Sequence, residues 1–197
     1  VLREPPPTAA STPAAVSQPA PPFATNDLLQ HIKHQERPFD DFVREPLLPN
    51  KMSQLGPGMA WADVDADGDL DVYLGGAAGQ PGRLILQNEQ HEFTSVISEP
   101  FAAQAESEDM GCLFLDVEGD GDLDLFVVSG GVEGAEGSDQ YRDRLYLQTG
   151  RDSSGQPQWE LALDRIPDER DSGGPVSAAD FDRDGDLDLF IGGRCVP

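Results

Sequence analysis

The sequence predicts an all-β fold, a partial β-propeller of four-stranded blades, on three observations. A unit of two strand-like runs around a nine-residue acidic loop occurs three times, and two of the three units continue with further strand-like runs. Four short strands per unit at a period of 50 to 65 residues is the sequence signature of radially arranged, four-stranded sheets. Helical repeats are excluded, because no stretch between Met59 and Val196 keeps a 3.6-residue apolar period over ten or more residues.

Composition narrows the functional classes. The 197 residues carry 13 Lys+Arg against 37 Asp+Glu, a formal charge of −24 and a pI near 4.1. Nucleic acid and anionic membrane surfaces need clustered cations, so both are excluded as partners. No run of 18 apolar residues is present, so no membrane-spanning helix is predicted. The sequence opens at Val1 without a basic and apolar leader, so the expectation is that such a leader was removed or that the sequence is a fragment. The 21 Gly and 17 Pro favour turns over long helices. Cys112 and Cys195 are too few for a disulfide framework and read as buried or free thiols, with a single bridge as the alternative.

Taken in order, residues 1–24 are dominated by Pro, Ala, Ser and Thr, which cannot bury enough apolar area to offset their ordering entropy. This segment is expected to be a disordered linker. Residues 25–52 form a lead-in. There Thr25, Asn26 and Asp27 offer N-cap oxygens ahead of LLQHIKHQE, a short amphipathic helix expected to end before Pro38. His31 and His34 lie three apart on it, a spacing read as a solvated face because no third metal ligand is nearby.

The blades are expected over residues 53–104, 105–168 and 169–197, the last incomplete. Their central segments are GMAWADVDADGDLDVYLGG (58–76), GCLFLDVEGDGDLDLFVVSGG (111–131) and PVSAADFDRDGDLDLFIGGR (175–194). Each is a short apolar strand, an acidic loop, and a second strand rich in Val, Leu, Phe and Tyr that ends at a Gly pair. The outer strands follow: RLILQ (83–87) corresponds to RLYLQ (144–148), and EFTSV (92–96) to WELAL (159–163). Three repeats are too few to close a ring of about four to eight blades. The chain is therefore expected to be truncated, with further blades lost beyond Pro197 and open sheet edges exposed.

The loops hold fifteen of the 37 acidic residues. They are Asp63, Asp65, Asp67, Asp69 and Asp71 in the first, Asp116, Glu118, Asp120, Asp122 and Asp124 in the second, and Asp180, Asp182, Asp184, Asp186 and Asp188 in the third. Carboxylates at positions 1, 3, 5 and 9 around a glycine at position 6 are what Ca²⁺ requires, since it takes six to eight hard oxygens. Position 7 is expected to donate its backbone carbonyl. Without a cation, two carboxylates about 4 Å apart repel by about 4 kcal/mol at an effective dielectric near 20. A plain Asp-Gly hairpin turn explains position 6 but not the acids at positions 1, 3 and 9 three times over. An EF-hand fails because position 12 is Leu74, Val127 or Ile191 instead of Glu.

On these motifs the chain resembles the FG-GAP or VCBS-type repeats of integrin α-like β-propellers, whose motif is DxDxDGxxD, from about Ser53 to Val196. DFVREPLLPNKMSQLGPGMAWADVDADGDLDVYLGGA with DLFIGGRCVP further resembles the CRTAC-like proteins that carry a C-terminal ASPIC/UnbV region. The resemblance implies about one Ca²⁺ per repeat, three in this chain. The side chains at positions 1, 3, 5 and 9 and the carbonyl at position 7 are its implied ligands. Glu118 departs from Asp at position 3 and marks the second site as weaker or differently coordinated.

The expected function is a non-catalytic, secreted or cell-surface, calcium-stabilised module that binds an extracellular protein or glycan. GGVEGAEGSDQYRD (130–143), the insertion in the second repeat, is its candidate contact loop. The alternative is the propeller part of a secreted polysaccharide-active or phospholipase-like enzyme whose catalytic residues lie elsewhere. Against it, G-x-S-x-G is absent and the only histidines are His31, His34 and His91. A purely structural repeat with no specific ligand is the third reading.

Overall fold

The computed structural model describes residues 27–195. The expected linker over residues 1–24 lies outside them. Among the described residues, ten strands form three antiparallel sheets. The first is β1 (Met59–Ala62), β2 (Asp71–Leu74), β3 (Arg83–Gln87) and β4 (Phe93–Val96), paired in chain order. The second is β5 (Glu108–Leu115), β6 (Asp124–Gly130), β7 (Arg144–Arg151) and β8 (Pro157–Leu161), in the same order. The third is a hairpin of β9 (Ser172–Ala179) and β10 (Asp188–Cys195). This is the architecture of a partial propeller, with β1, β5 and β9 side by side as inner strands.

Strand β6 shows how the sequence builds it. All seven of its residues are buried, because both faces of its sheet are covered, and a strand covered on both sides reads as a continuous apolar run. Leu125 and Val127 pack toward the first sheet with Val64, Tyr73, Leu84, Leu86, Tyr146 and Trp159. Phe126 and Val128 point the other way, joining Leu115, Leu145, Leu147 and, from the third sheet, Val176. The alternation follows from the two-residue side-chain period of a strand.

A helical turn, α2 (Glu99–Ala102), links the first two sheets and drops Phe101 between them. Its ring meets Tyr73 and Tyr146 edge-on, at centroid distances of 5.3 and 4.8 Å, and Trp159 at 5.7 Å. Such edge-to-face packing adds about 0.5–1.5 kcal/mol per pair beyond the area buried.

The sheets are also joined by a buried polar network. Arg144 Nη2 pairs with Asp109 Oδ1 at 2.7 Å, and both side chains are almost fully buried. Asp109 Oδ2 accepts from the Tyr73 hydroxyl and the Gly76 N–H, each at 2.8 Å. The closeness of this approach is why the first repeat ends on a Gly pair: a Cβ on Gly75 would sit 2.6 Å from Asp109 Cβ. The neighbouring acid has the opposite environment. Glu108 is 3% exposed and its carboxyl faces that of Glu133 instead of a cation. Burial, then the charges of Glu133 and Glu36, push its carboxyl up to about 9.

The helix expected over residues 28–36 does not form, and this part of the lead-in is corrected. Residues 28–31 make a turn and residues 32–40 carry no regular secondary structure. The backbone groups a helix would use are claimed by the first sheet's loop: Gln80 accepts from Gln35 N–H at 2.9 Å and donates to the Lys33 carbonyl at 2.9 Å. A helix this short has little stability of its own to resist that clasp. The lead-in's helix is instead α1 (Asp41–Arg44), capped by Asp40. Asp41 itself is buried and accepts from Met52 N–H (2.8 Å), Ser53 N–H (3.0 Å) and the Ser53 hydroxyl. Burial opposes ionisation there, but those donors hold its carboxyl below the usual range. Arg44 then fastens the long loop of the second sheet, donating to the Val132 and Gly134 carbonyls at 2.9 Å each.

Candidate metal centre

Each acidic loop connects the first two strands of its sheet, so the three lie at corresponding places in the three sheets. In the first, Asp63 sits at the mouth of the turn and accepts from the N–H groups of Asp67 and Gly68, both at 3.1 Å. Asp65 accepts from Asp67 N–H at 3.3 Å, and Asp67 from Asp69 N–H at 2.9 Å. Asp71 closes the loop from the first residue of β2. Its Oδ2 accepts from Val64 N–H at 3.0 Å and its Oδ1 from Gln87 N–H, across on β3, at 2.9 Å. The turn needs a left-handed glycine: Gly68, Gly121 and Gly185 have φ of 96, 92 and 102°.

The third loop repeats this arrangement. Asp180 accepts from Asp184 N–H (3.1 Å) and Gly185 N–H (3.3 Å), Asp182 from Asp184 N–H (3.2 Å), Asp184 from Asp186 N–H (3.0 Å), and Asp188 from Phe181 N–H (2.9 Å). In the first and third loops, one oxygen from each of positions 1, 3 and 9 lies within 4.8 Å of the others. Those residues are Asp63, Asp65 and Asp71, and Asp180, Asp182 and Asp188. Asp67 and Asp184, expected as further side-chain ligands, are outside these groups, as are the position-7 residues Asp69 and Asp186.

The second loop differs. Asp116 accepts from Gly119 (2.7 Å), Asp120 (3.2 Å) and Gly121 (3.0 Å), and Asp120 from Asp122 N–H at 3.0 Å. Asp124 repeats the role of Asp71, accepting from Val117 and Gln148 N–H groups, both at 2.9 Å. However, Glu118 is turned toward Arg165 at 3.7 Å and Asp122 is paired with Arg151 at 3.0 Å. Among the described residues, this loop does not gather three carboxylates as the others do.

The electrostatics fit a cation-binding role. Burial is the main cause that pushes the Asp71 carboxyl up to about 6, with the charges of Asp65 and Asp67 adding to it. Asp65 and Asp124 are raised for the same first reason. A divalent ion reverses the sign of this repulsion, and the donors are all hard oxygens, the chemistry that suits Ca²⁺.

Three features of the loops escape a motif reading. Gln87 and Gln148 support position 9 through the backbone, a role hinted at only by their shared place in RLILQ and RLYLQ. Position 4 is left-handed, with φ of 57° at Ala66, 72° at Gly119 and 65° at Arg183. Arg151 reaches from the Asp122 carboxylate to the Val64 carbonyl at 3.4 Å, tying the second loop to the first, and occurs once, so no repeat reveals it. Of the histidines, His91 is exposed in a turn, and His34 is half-buried against Glu36. Cys112 is a free thiol that burial pushes well up.

Against known families, the pattern of the FG-GAP-like repeat matches this chain twice, over residues 63–127 and 116–191. No curated protein matches it.

Proposed function

The chain belongs to the FG-GAP-like repeat family, whose repeats build β-propeller-type modules often involved in binding, and from that premise we propose that it is a calcium-stabilised extracellular binding module. The observation that carries this reading is the pair of matched carboxylate groups at positions 1, 3 and 9 of the first and third loops, each held open by the turn's own N–H groups. Calcium is structural in this account. It replaces carboxylate repulsion with attraction and locks the first two strands of each sheet. Extracellular modules bind Ca²⁺ at roughly 0.1–1 mM, which suits an external location. At ten times Kd each independent site adds about 1.4 kcal/mol to stability.

The module has no catalytic role in this reading. It acts as a rigid frame presenting loops to a protein or glycan, with residues 130–143 as the foremost of them. That segment is acidic, contains a 3₁₀ turn over Asp139–Tyr141, and is tied at its base by Arg44. Equilibrium dialysis against Ca²⁺ tests the ion sites. The expected result is two sites of similar affinity and a third, weaker one; no saturable binding below about 10 mM, tenfold above the weak end of the extracellular range, contradicts it.

A further inference from the structure

One arginine touches two of the acidic loops at once. Arg151, the last residue of β7, donates from Nη2 to Asp122 Oδ1 at 3.0 Å, at position 7 of the second loop. The same nitrogen reaches the Val64 carbonyl at 3.4 Å, at position 2 of the first loop and in the neighbouring sheet. The turn between β7 and β8 leans the same way, with Ser154, Gly155 and Gln156 sharing a cleft with Asp65 and Asp67. Asp65, whose carboxyl is pushed up mainly by burial and then by Asp67, is drawn the other way by the Arg151 charge. One fixed cation, its side chain 31% exposed, thus serves carboxylates of two sheets.

A part-exposed ion pair adds little to stability on its own. The place of this one gives it another effect. Charge count helps to set the affinity of an oxygen-ligated Ca²⁺ site, so a positive side chain beside the ligands counts against the ion. In the ion-free protein Arg151 relieves the same carboxylate repulsion that a bound ion would relieve. By linkage, a group that stabilises the ion-free form more than the filled form weakens binding. The repeat does not itself call for a cation here: RLYLQTGR (144–151) aligns with RLILQNEQ (83–90), which puts Gln90 at the corresponding place in the first sheet.

Resting on the calcium reading of the loops, we infer that Arg151 is a resident counter-cation shared by the first and second loops, which sets the Ca²⁺ concentration at which both fill. It ties the two loops together when calcium is low and opposes the ion in each as calcium rises. Among the described residues, Arg151 bonds to no part of the third loop, which therefore fills without this control.

The test is calorimetric Ca²⁺ titration of the full chain, at low and high salt, for the parent, Arg151→Gln and Arg151→Lys. It is repeated with the third loop disabled by Asp180→Asn with Asp182→Asn. Glutamine is the first sheet's own residue at this place, and lysine keeps the charge. The expected result is that Arg151→Gln tightens the sites of the first two loops severalfold at low salt, in both backgrounds, while Arg151→Lys stays with the parent. Salt screens a part-exposed charge, so the gain should shrink at high salt. A thermal melt in EDTA should place Arg151→Gln below the parent, with the deficit gone once Ca²⁺ saturates the loops. A residue that merely props the loops in shape gives the opposite sign, weaker binding in the glutamine variant. That result, an unchanged isotherm, or a lysine variant that behaves like glutamine overturns the inference and leaves the calcium reading standing. No Ca²⁺ heat from the parent overturns the calcium reading, and the inference with it.

Discussion

Asp41 is a single carboxylate that does the work of a small linker. Two N–H groups and a hydroxyl from Met52 and Ser53 converge on it, so the lead-in is closed onto the first blade at one buried point. Asp41→Ala would leave those donors unsatisfied, and the expected cost is about 1–3 kcal/mol in urea unfolding at pH 7. Because the folded carboxyl lies below its ordinary value, its stabilisation is present above the unfolded pKa and is lost as pH falls through the folded one. The stability gap between parent and variant should thus hold steady from pH 7 to about 5 and close below about 4. A gap that persists in acid would mean that the cost is one of packing. Residues at position 9 work by a similar logic: Asp71 and Asp124 each bridge a loop N–H and a glutamine N–H, and so organise a loop in protein–protein hydrogen bonds before any ion is considered.

At the scale of elements, the strands were largely legible. The first sheet's four strands fall where alternating or apolar runs and Gly pairs place them, and the second sheet's end strand is displaced only from 159–163 to Pro157–Leu161. What was hidden is instructive. Strand β5 begins at Glu108, three residues before the apolar run GCLFL, because two acids that look like loop residues are buried, Asp109 against the first sheet and Glu108 against the loop after β6. The lead-in helix was misplaced because propensity and caps describe a segment alone, whereas Gln80 competes for its backbone. In the site, the fifteen acidic positions were legible, but not which of them converge. The second loop shows the reason: Glu118 reaches Arg165 and Asp122 reaches Arg151, partners distant in sequence. Glu118→Asp shortens the side chain to match the other loops. It should therefore tighten Ca²⁺ binding at the second site, read by calorimetric titration as a gain of severalfold or more; an unchanged isotherm would place the difference elsewhere.

For the whole molecule, the question is how the sheets hold together. Two devices join the first pair. One is apolar, with Phe101 clasped by Tyr73, Tyr146 and Trp159. The other is the Asp109–Arg144 pair, which reaches the first sheet through Tyr73 and Gly76. Arg144→Leu strands a buried Asp109 charge, and breaking such a pair costs about 3–5 kcal/mol. Urea unfolding should show that loss in the midpoint, and a change below about 1 kcal/mol would mean that solvent reaches Asp109. The third sheet is held differently. Its β9 start is buried against β5 and β6, while Phe181 and Phe190 remain 88% and 71% exposed. Among the described residues, no helix is long and apolar enough to cross a membrane.

On the proposed function, the acidic loops are calcium sites on which the blades depend. The most direct measurement is a thermal melt of the protein at increasing Ca²⁺ and again after chelation with EDTA. The predicted result is a melting temperature that climbs with Ca²⁺, by about 2–4 °C for each kcal/mol of binding, and falls back on chelation. A melting temperature indifferent to both Ca²⁺ and EDTA would contradict it and leave the three loops as hydrogen-bonded turns.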